Sequence, residues 1–362
     1  METKKKASLY FVHPLVDFAL IGGISLILLV ILKITRPQNF NALSIWAGIL
    51  VWYINWPHFS ATSHRLYGRK ENRNQYPMTA YVVPFLVLAM VIGSFLEPVL
   101  VAPLFVKIYL IWSSYHFSGQ SLGITLVYAR RSGRQVLYWE KKILSYFIFA
   151  SFFVGTFAAD TGSSGGVYFG IALPGLGLHQ WTVQMARYFL WAMAAGVVLV
   201  YLKWSIRDKK PAPLILLVPA LAQYAWFVEG YKSPGFTALV PLFHSLQYLL
   251  IAWFVNLKEK EHSEKTSVSR LKFIWKASFN WGLINFVGGA TLFYVLPRFF
   301  SWISSHPLEF STGVTLAGVQ VHHFFVDGVI WKLRDKNNGT PLMGTLSSIK
   351  LNQDRHQQRL AA

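Results

Sequence analysis

Eleven histidines occur in this chain of 362 residues. Six of them, His58, His64, His116, His244, His322 and His323, fall inside long apolar blocks. Imidazole is costly in hydrocarbon, so a cluster of such residues points to chemistry before it points to packing. At 100° per residue, positions i and i+4 share a helix face. His116 shares one with Gln120 and Trp112, and His244 with Gln247 and Tyr248. His323 shares one with Asp327 and Gln320, while Asn55, His58 and Thr62 form a similar row. His13 and Asp17 form another at the edge of the first block. Each histidine thus has a polar companion able to fix its tautomer. The same companions would also satisfy a histidine that binds no metal. His58 and His64 are six residues apart, about 240° around a straight helix, so only one faces a common point unless Pro57 bends the rod. His64 adjoins Arg65 at a block edge, which leaves His58 as the candidate.

The chain has no cysteine. Disulfides, thiolate metal sites, iron–sulfur clusters and cysteine nucleophiles are therefore excluded. Several neutral imidazoles with a carboxylate suit iron, copper, nickel or zinc, and not an oxygen-only cation. The candidate metal ligands are His58, His116, His244, His322 and His323. Asp327 and Gln120, each one turn from a histidine, are the candidate catalytic groups. Asp327 would either ligate the ion or orient His323. A non-haem iron site would allow oxidation of a lipid-soluble substrate, and haem b held between two histidines is the alternative. HExxH, Walker A, GxSxG and GxGxxG motifs are missing, which removes zincins, ATPases, serine hydrolases and dinucleotide enzymes. The closely grouped histidine boxes of membrane desaturases and hydroxylases are missing too.

The elements that must position these residues follow from composition. Apolar residues make up 54% and charged residues 14%, with a mean hydropathy of +0.39. A typical soluble domain is about a quarter charged. Ten apolar segments of spanning length are predicted at 14–34, 44–66, 77–96, 101–129, 142–158, 184–204, 211–229, 236–257, 274–297 and 310–332. Pro84, Pro103, Pro219 and Pro241 are expected to interrupt the third, fourth, seventh and eighth. The net charge of +19 does not mark a nucleic-acid binder, because Lys and Arg cluster between the apolar blocks. With the N-terminus inside, 28 of the 34 basic residues fall on inner segments and only Lys33, Arg36, Lys232 and Arg298 on outer ones. The expectation is an all-α, polytopic transmembrane bundle of about ten spans, both termini cytoplasmic, multi-pass in a bacterial inner membrane. It comprises one helical domain over 1–336 and a polar tail over 337–362. The first block lacks a cleavage site and stays as a helix. The Gly-rich stretch 159–183 reads as an outer-surface lid or a plain connection. The six histidines all fall on even-numbered spans, which run in one direction and so favour a shared site.

The segments WPHFSATSHRLYG (56–68), YHFSGQSLGITLVYARRSG (115–133), HSLQYLLIAW (244–253) and HHFFVDGVIWKLRD (322–335) cover about a seventh of the chain. They resemble an uncharacterised family of bacterial multi-span proteins, from which no activity carries over. Pro57–His58 and the scattered histidines also resemble the Brp/Blh group of membrane beta-carotene oxygenases, which hold iron through histidines on several helices. The Pro-His-Gly-like element of that group is not reproduced, since Phe59 follows His58. Two function classes follow: a His-ligated metal oxidoreductase acting on a lipophilic substrate, or a proton-linked transporter or complex subunit using Asp17 and Asp327. The expected partners are the lipid bilayer and a lipophilic small molecule, with no nucleic acid.

Overall fold

The computed structural model describes residues 8–36, 41–161, 164–263, 269–332 and 341–344. Most of the tail over 337–362 lies outside them. Ten long helices account for most of the described chain. They are α1 (Pro14–Thr35), α2 (41–67), α4 (Met78–Leu96), α5 (Val101–Arg131), α6 (Tyr138–Ala159), α7 (Gln180–Arg207), α8 (Leu214–Lys232), α9 (Val240–Ser263), α10 (Arg270–Ser304) and α11 (Leu308–Ile330). A short helix, α3 (Lys70–Gln75), joins α2 to α4.

Seven of the ten are long and apolar enough to cross a membrane. The exceptions are α2, α5 and α11. They are as long as their neighbours but carry imidazole, amide, hydroxyl and carboxyl groups at their centres, which lowers their hydropathy. The least apolar helices are therefore the ones bearing His58, His116 and His323.

Proline shapes these rods in two ways. Pro57, Pro84 and Pro297 each stand two residues after a π-helical turn, at Val51–Asn55, Met78–Val82 and Thr291–Val295. A proline ring collides with the carbonyl four residues back and offers no N–H, so the preceding turn widens to accommodate it. Pro103, Pro219 and Pro241 instead lie in the first turns of helical segments, where the missing N–H costs nothing. The expected interruption at Pro103 and kink at Pro241 are thus replaced by helix starts.

Within the stretch expected as a lid or a plain connection lies a small antiparallel hairpin, β1 (Ser164–Tyr168) and β2 (Ile171–Pro174). Phe169 and Gly170 form its two-residue turn, both with positive φ, as a type I′ turn requires. Ile171 is buried with Val314 and Ala317 of α11 and Phe105 of α5, and Tyr168 Oη lies 3.1 Å from Tyr109 Oη. The hairpin caps the bundle at the end where α11 begins.

At the other end, basic side chains gather and Arg131 clasps two distant pieces of chain. Its guanidinium donates to the carbonyls of Leu9, Tyr10, Leu342 and Gly344 and covers the ring of Phe11. Asp17 accepts N–H bonds from Phe11, Val12 and His13, and Tyr128 Oη donates to it at 2.7 Å. Both groups anchor the N-terminal segment.

Candidate metal centre

Four imidazoles, one from each of α2, α5, α9 and α11, converge in the middle of the bundle. One ring nitrogen each from His58, His116, His244 and His323 lies within 4.8 Å of every other. His323 Nε2 is 3.1 Å from both His58 Nε2 and His116 Nε2. Two nitrogens bound to one ion at about 2.0–2.1 Å, with bond angles near 90–110°, stand about 2.8–3.4 Å apart. The two separations from His323 match that chord.

Hydrogen bonding alone leaves this group incomplete. A neutral imidazole has a single N–H, so His323 Nε2 can donate to only one of its two imidazole neighbours. Both ring nitrogens of His244 and Nδ1 of His323 are buried without a hydrogen-bond partner. Unpaired buried polar atoms are rare in proteins, and each calls for an explanation. A cation accepting the inward lone pair of His244 would supply one for that nitrogen.

The supporting groups orient the lone pairs inward. His58 Nδ1 lies 2.8 Å from Ser245 Oγ, which itself donates to Asn55 Oδ1 or the carbonyl of Pro241, each at 2.8 Å. Ser245 therefore accepts from His58, placing the proton on Nδ1 and freeing Nε2. Asp327 lies one turn below His323. Its Oδ1 accepts from Thr62 (3.2 Å) and Trp331 (3.3 Å). Its Oδ2 faces His323 Nε2 at 3.4 Å and His116 Nε2 at 3.6 Å. Thr62 Oγ1 also lies 2.6 Å from Tyr248 Oη, extending the hydroxyl chain away from the centre.

Phenylalanines jacket the rings. Each of the four histidines has one as its chain neighbour: Phe59, Phe117, Phe243 and Phe324, all buried. Three of these also reach a different imidazole. Phe117 stacks on His244 at 4.0 Å, Phe324 on His116 at 4.8 Å, and Phe59 meets His323 edge-on at 4.8 Å. The helices interlock through these pairs, and His58, His244 and His323 are buried.

A cavity of about 330 Å³ leads from His116 and Asp327 along the seam between α5 and α11. Gln120 lines it, holding the carbonyl of His244 at 3.0 Å and Gln247 Oε1 at 3.1 Å through its amide nitrogen. Its own Oε1 is buried without a partner.

Of the residues expected at the site, His58, His116, His244 and His323 come together, with Asp327 and Gln120 beside them. His322 does not join them. It points away from its neighbour, about 100° around α11, and its Nε2 lies 2.9 Å from Tyr67 Oη in a separate apolar groove. The expectation of a fifth histidine ligand is corrected accordingly. His64 lies in a small cavity with Arg69 and Glu259 near the basic end, and Asp17 is fully engaged with the N-terminal segment. Ser245, Trp331 and the phenylalanine jacket were not singled out by spacing arguments, because their roles cross between helices. No protein-family model, no curated protein and no solved structure matches this chain.

Proposed function

We propose that the protein is a membrane-embedded, His-ligated metal oxidoreductase, with non-haem iron as the metal and a lipophilic molecule as substrate. The carrying observation is the convergence of four imidazole nitrogens within 4.8 Å, one of the four, His116, lining an apolar cleft together with Asp327. An all-imidazole set with one carboxylate and no thiol suits iron among the metals such ligands bind, and the cleft leaves room for substrate. Haem fits poorly, because nitrogens 3.1 Å apart leave no slab for a macrocycle between them. A proton-linked transporter would string its titratable groups along a path, whereas here they meet at a point.

In this reading His58, His116, His244 and His323 hold the ion. Bound iron supplies one-electron chemistry toward dioxygen, with a separate electron donor as co-reactant. Asp327 keeps Oδ2 toward the ion, and its Oδ1 is connected through Thr62 to the phenol of Tyr248, a path along which a proton can move. The phenylalanine jacket packs against the imidazoles. The ten long helices are read as ten membrane spans of a bacterial inner membrane, both termini cytoplasmic, with the basic end inside.

The test is elemental analysis and an absorption spectrum of protein purified natively. Stoichiometric iron without a Soret band is expected, lost in His116→Ala and His323→Ala. Metal-free protein overturns the proposal, and a Soret band replaces iron alone with haem.

A further inference from the structure

The cleft that ends at the imidazoles has an internal order that says what fills it. Its α5 wall runs from Trp112 to Val127. Three glycines, Gly119 and Gly123 on α5 and Gly328 on α11, form its side opening. A methyl group built on any of them meets nothing within 4 Å. Two facing helices with bare backbone at the seam leave a slot, and a slot between membrane helices opens to the acyl chains. The far end of the slot, beyond His116, is shut by Trp112, whose ring lies 4.9 Å from Phe325 and 5.8 Å from Phe324.

The near end is different. Lys332 lines it, together with Leu342 of the clasped terminal segment. Lys332 forms no ion pair among the described residues. The walls between are apolar apart from Gln120 and Asp327, which stand next to the imidazoles, and the single polar atoms of Tyr115, Tyr248 and Trp331. The slot therefore offers one cation at its mouth, an apolar channel one chain wide, and the His centre at depth. From His116 to Val127 is eleven residues of helix, about 16 Å. An extended chain advances about 1.2 Å per bond, so this distance spans about a dozen bonds. A volume of about 330 Å³ lies at the lower limit of ligand sites and admits one alkyl chain, not the two of a diacyl lipid.

We infer that the slot binds a single-chain amphiphile with an anionic head, the head at Lys332 and a carbon about a dozen bonds away at the imidazoles. This assignment deepens the oxidoreductase reading and rests on it for α5 and α11 as membrane spans and for what happens at the buried carbon. Binding itself is independent of the metal. The anionic head is a carboxylate or a phosphate monoester, and the two are separated by experiment.

The test uses the full chain in phosphatidylcholine nanodiscs and photoreactive palmitic acid in two forms, with the diazirine near mid-chain or beside the carboxylate. Crosslinks are mapped by mass spectrometry. Mid-chain label is expected on Trp112, His116 or Phe324, and head-proximal label on Val127, Lys332 or Leu342. Gly123→Leu and Gly119→Leu, whose side chains would project into the slot, each reduce labelling at least fivefold. Lys332→Gln weakens the acid several-fold and leaves the corresponding alcohol unchanged. Lysophosphatidate competing better than palmitate assigns the head as phosphate, and the reverse assigns it as carboxylate. A reversed label pattern, undiminished labelling in both glycine variants, or equal binding of acid and alcohol overturns the inference. Because labelling needs no metal, metal-free protein that still labels in this pattern rejects only the metal reading. Iron-loaded protein that does not label rejects only the slot assignment.

Discussion

The ring of Phe117 lies over the imidazole of His244, centroids 4.0 Å apart and planes 23° from parallel, although the chain neighbour of Phe117 is His116. One residue on α5 thus braces the histidine of another helix while its own chain neighbour enters the centre. His244 has no hydrogen-bond partner on either nitrogen, so this stacking surface is what holds its ring in place.

Phe117→Leu keeps most of the buried volume and costs less than about 1.5 kcal/mol of stability. It frees the His244 ring, so affinity for the ion falls while the fold persists. Competition with a metal-sensitive chelator measures this, and unchanged affinity would show that stacking does not position His244.

Ser245→Ala removes the acceptor that holds the proton on His58 Nδ1. Loss of such an orienting partner typically lowers metal affinity about 10–100-fold. The same titration reads it, alongside a thermal melt to confirm that the variant is folded. Affinity equal to the wild type would mean that Asn55 or the backbone suffices.

His322→Ala retains the full metal complement, because His322 bonds Tyr67 and not the centre. The stability cost is about 1 kcal/mol for one lost hydrogen bond. Metal loss in this variant, matching that in His323→Ala, would return His322 to the ligand set.

Asp17→Ala strands three backbone N–H groups and the Tyr128 hydroxyl in a buried site. Removing one member of such a buried charged network costs about 3–5 kcal/mol. A lower melting temperature is expected, with metal content of the folded fraction unchanged. Reduced metal per folded molecule would tie Asp17 to the centre.

If α2, α5 and α11 cross the membrane with the seven more apolar helices, a reporter fused after Arg334 reads cytoplasmic and one inserted near Gly165 reads from the opposite side. Reporters on the same side would show that α11, the one polar helix between the two points, does not cross.

The helices and the convergence of histidines were legible because both depend on short-range periodicity. Apolar blocks marked the rods, and i, i+4 rows paired His323 with Asp327 and His116 with Gln120. His322 lies outside the group for a simple reason: adjacent residues on a helix differ by 100°, and sequence alone does not say which of the two faces inward. A discriminating signal was nonetheless present. Phe adjoins each of His58, His116, His244 and His323 and none of the other seven histidines. Its meaning appears only when the rings are seen to reach across helices. Ser245 was unreadable for the same reason, since it supports His58, 187 positions away along the chain. The hairpin at 164–174 was hidden by its glycines, which suit a loop as well as a type I′ turn.

The proline-linked π turns of α2, α4 and α10 each hold one residue more than an α turn would. That extra residue acts like an added tooth on a gear, setting the stretch before it about 100° out of phase with the stretch after it. In α2 the slip separates the outward-facing Ile45 and Ile49 from the inward-facing His58 and Thr62. Deleting one residue from 51–55 would leave composition and length almost untouched yet turn one half of the rod by more than a quarter revolution. Among diverged relatives, a one-residue gap in the middle of such a rod would accordingly be a genuine change of helical phase, matched by loss or relocation of the proline that follows it.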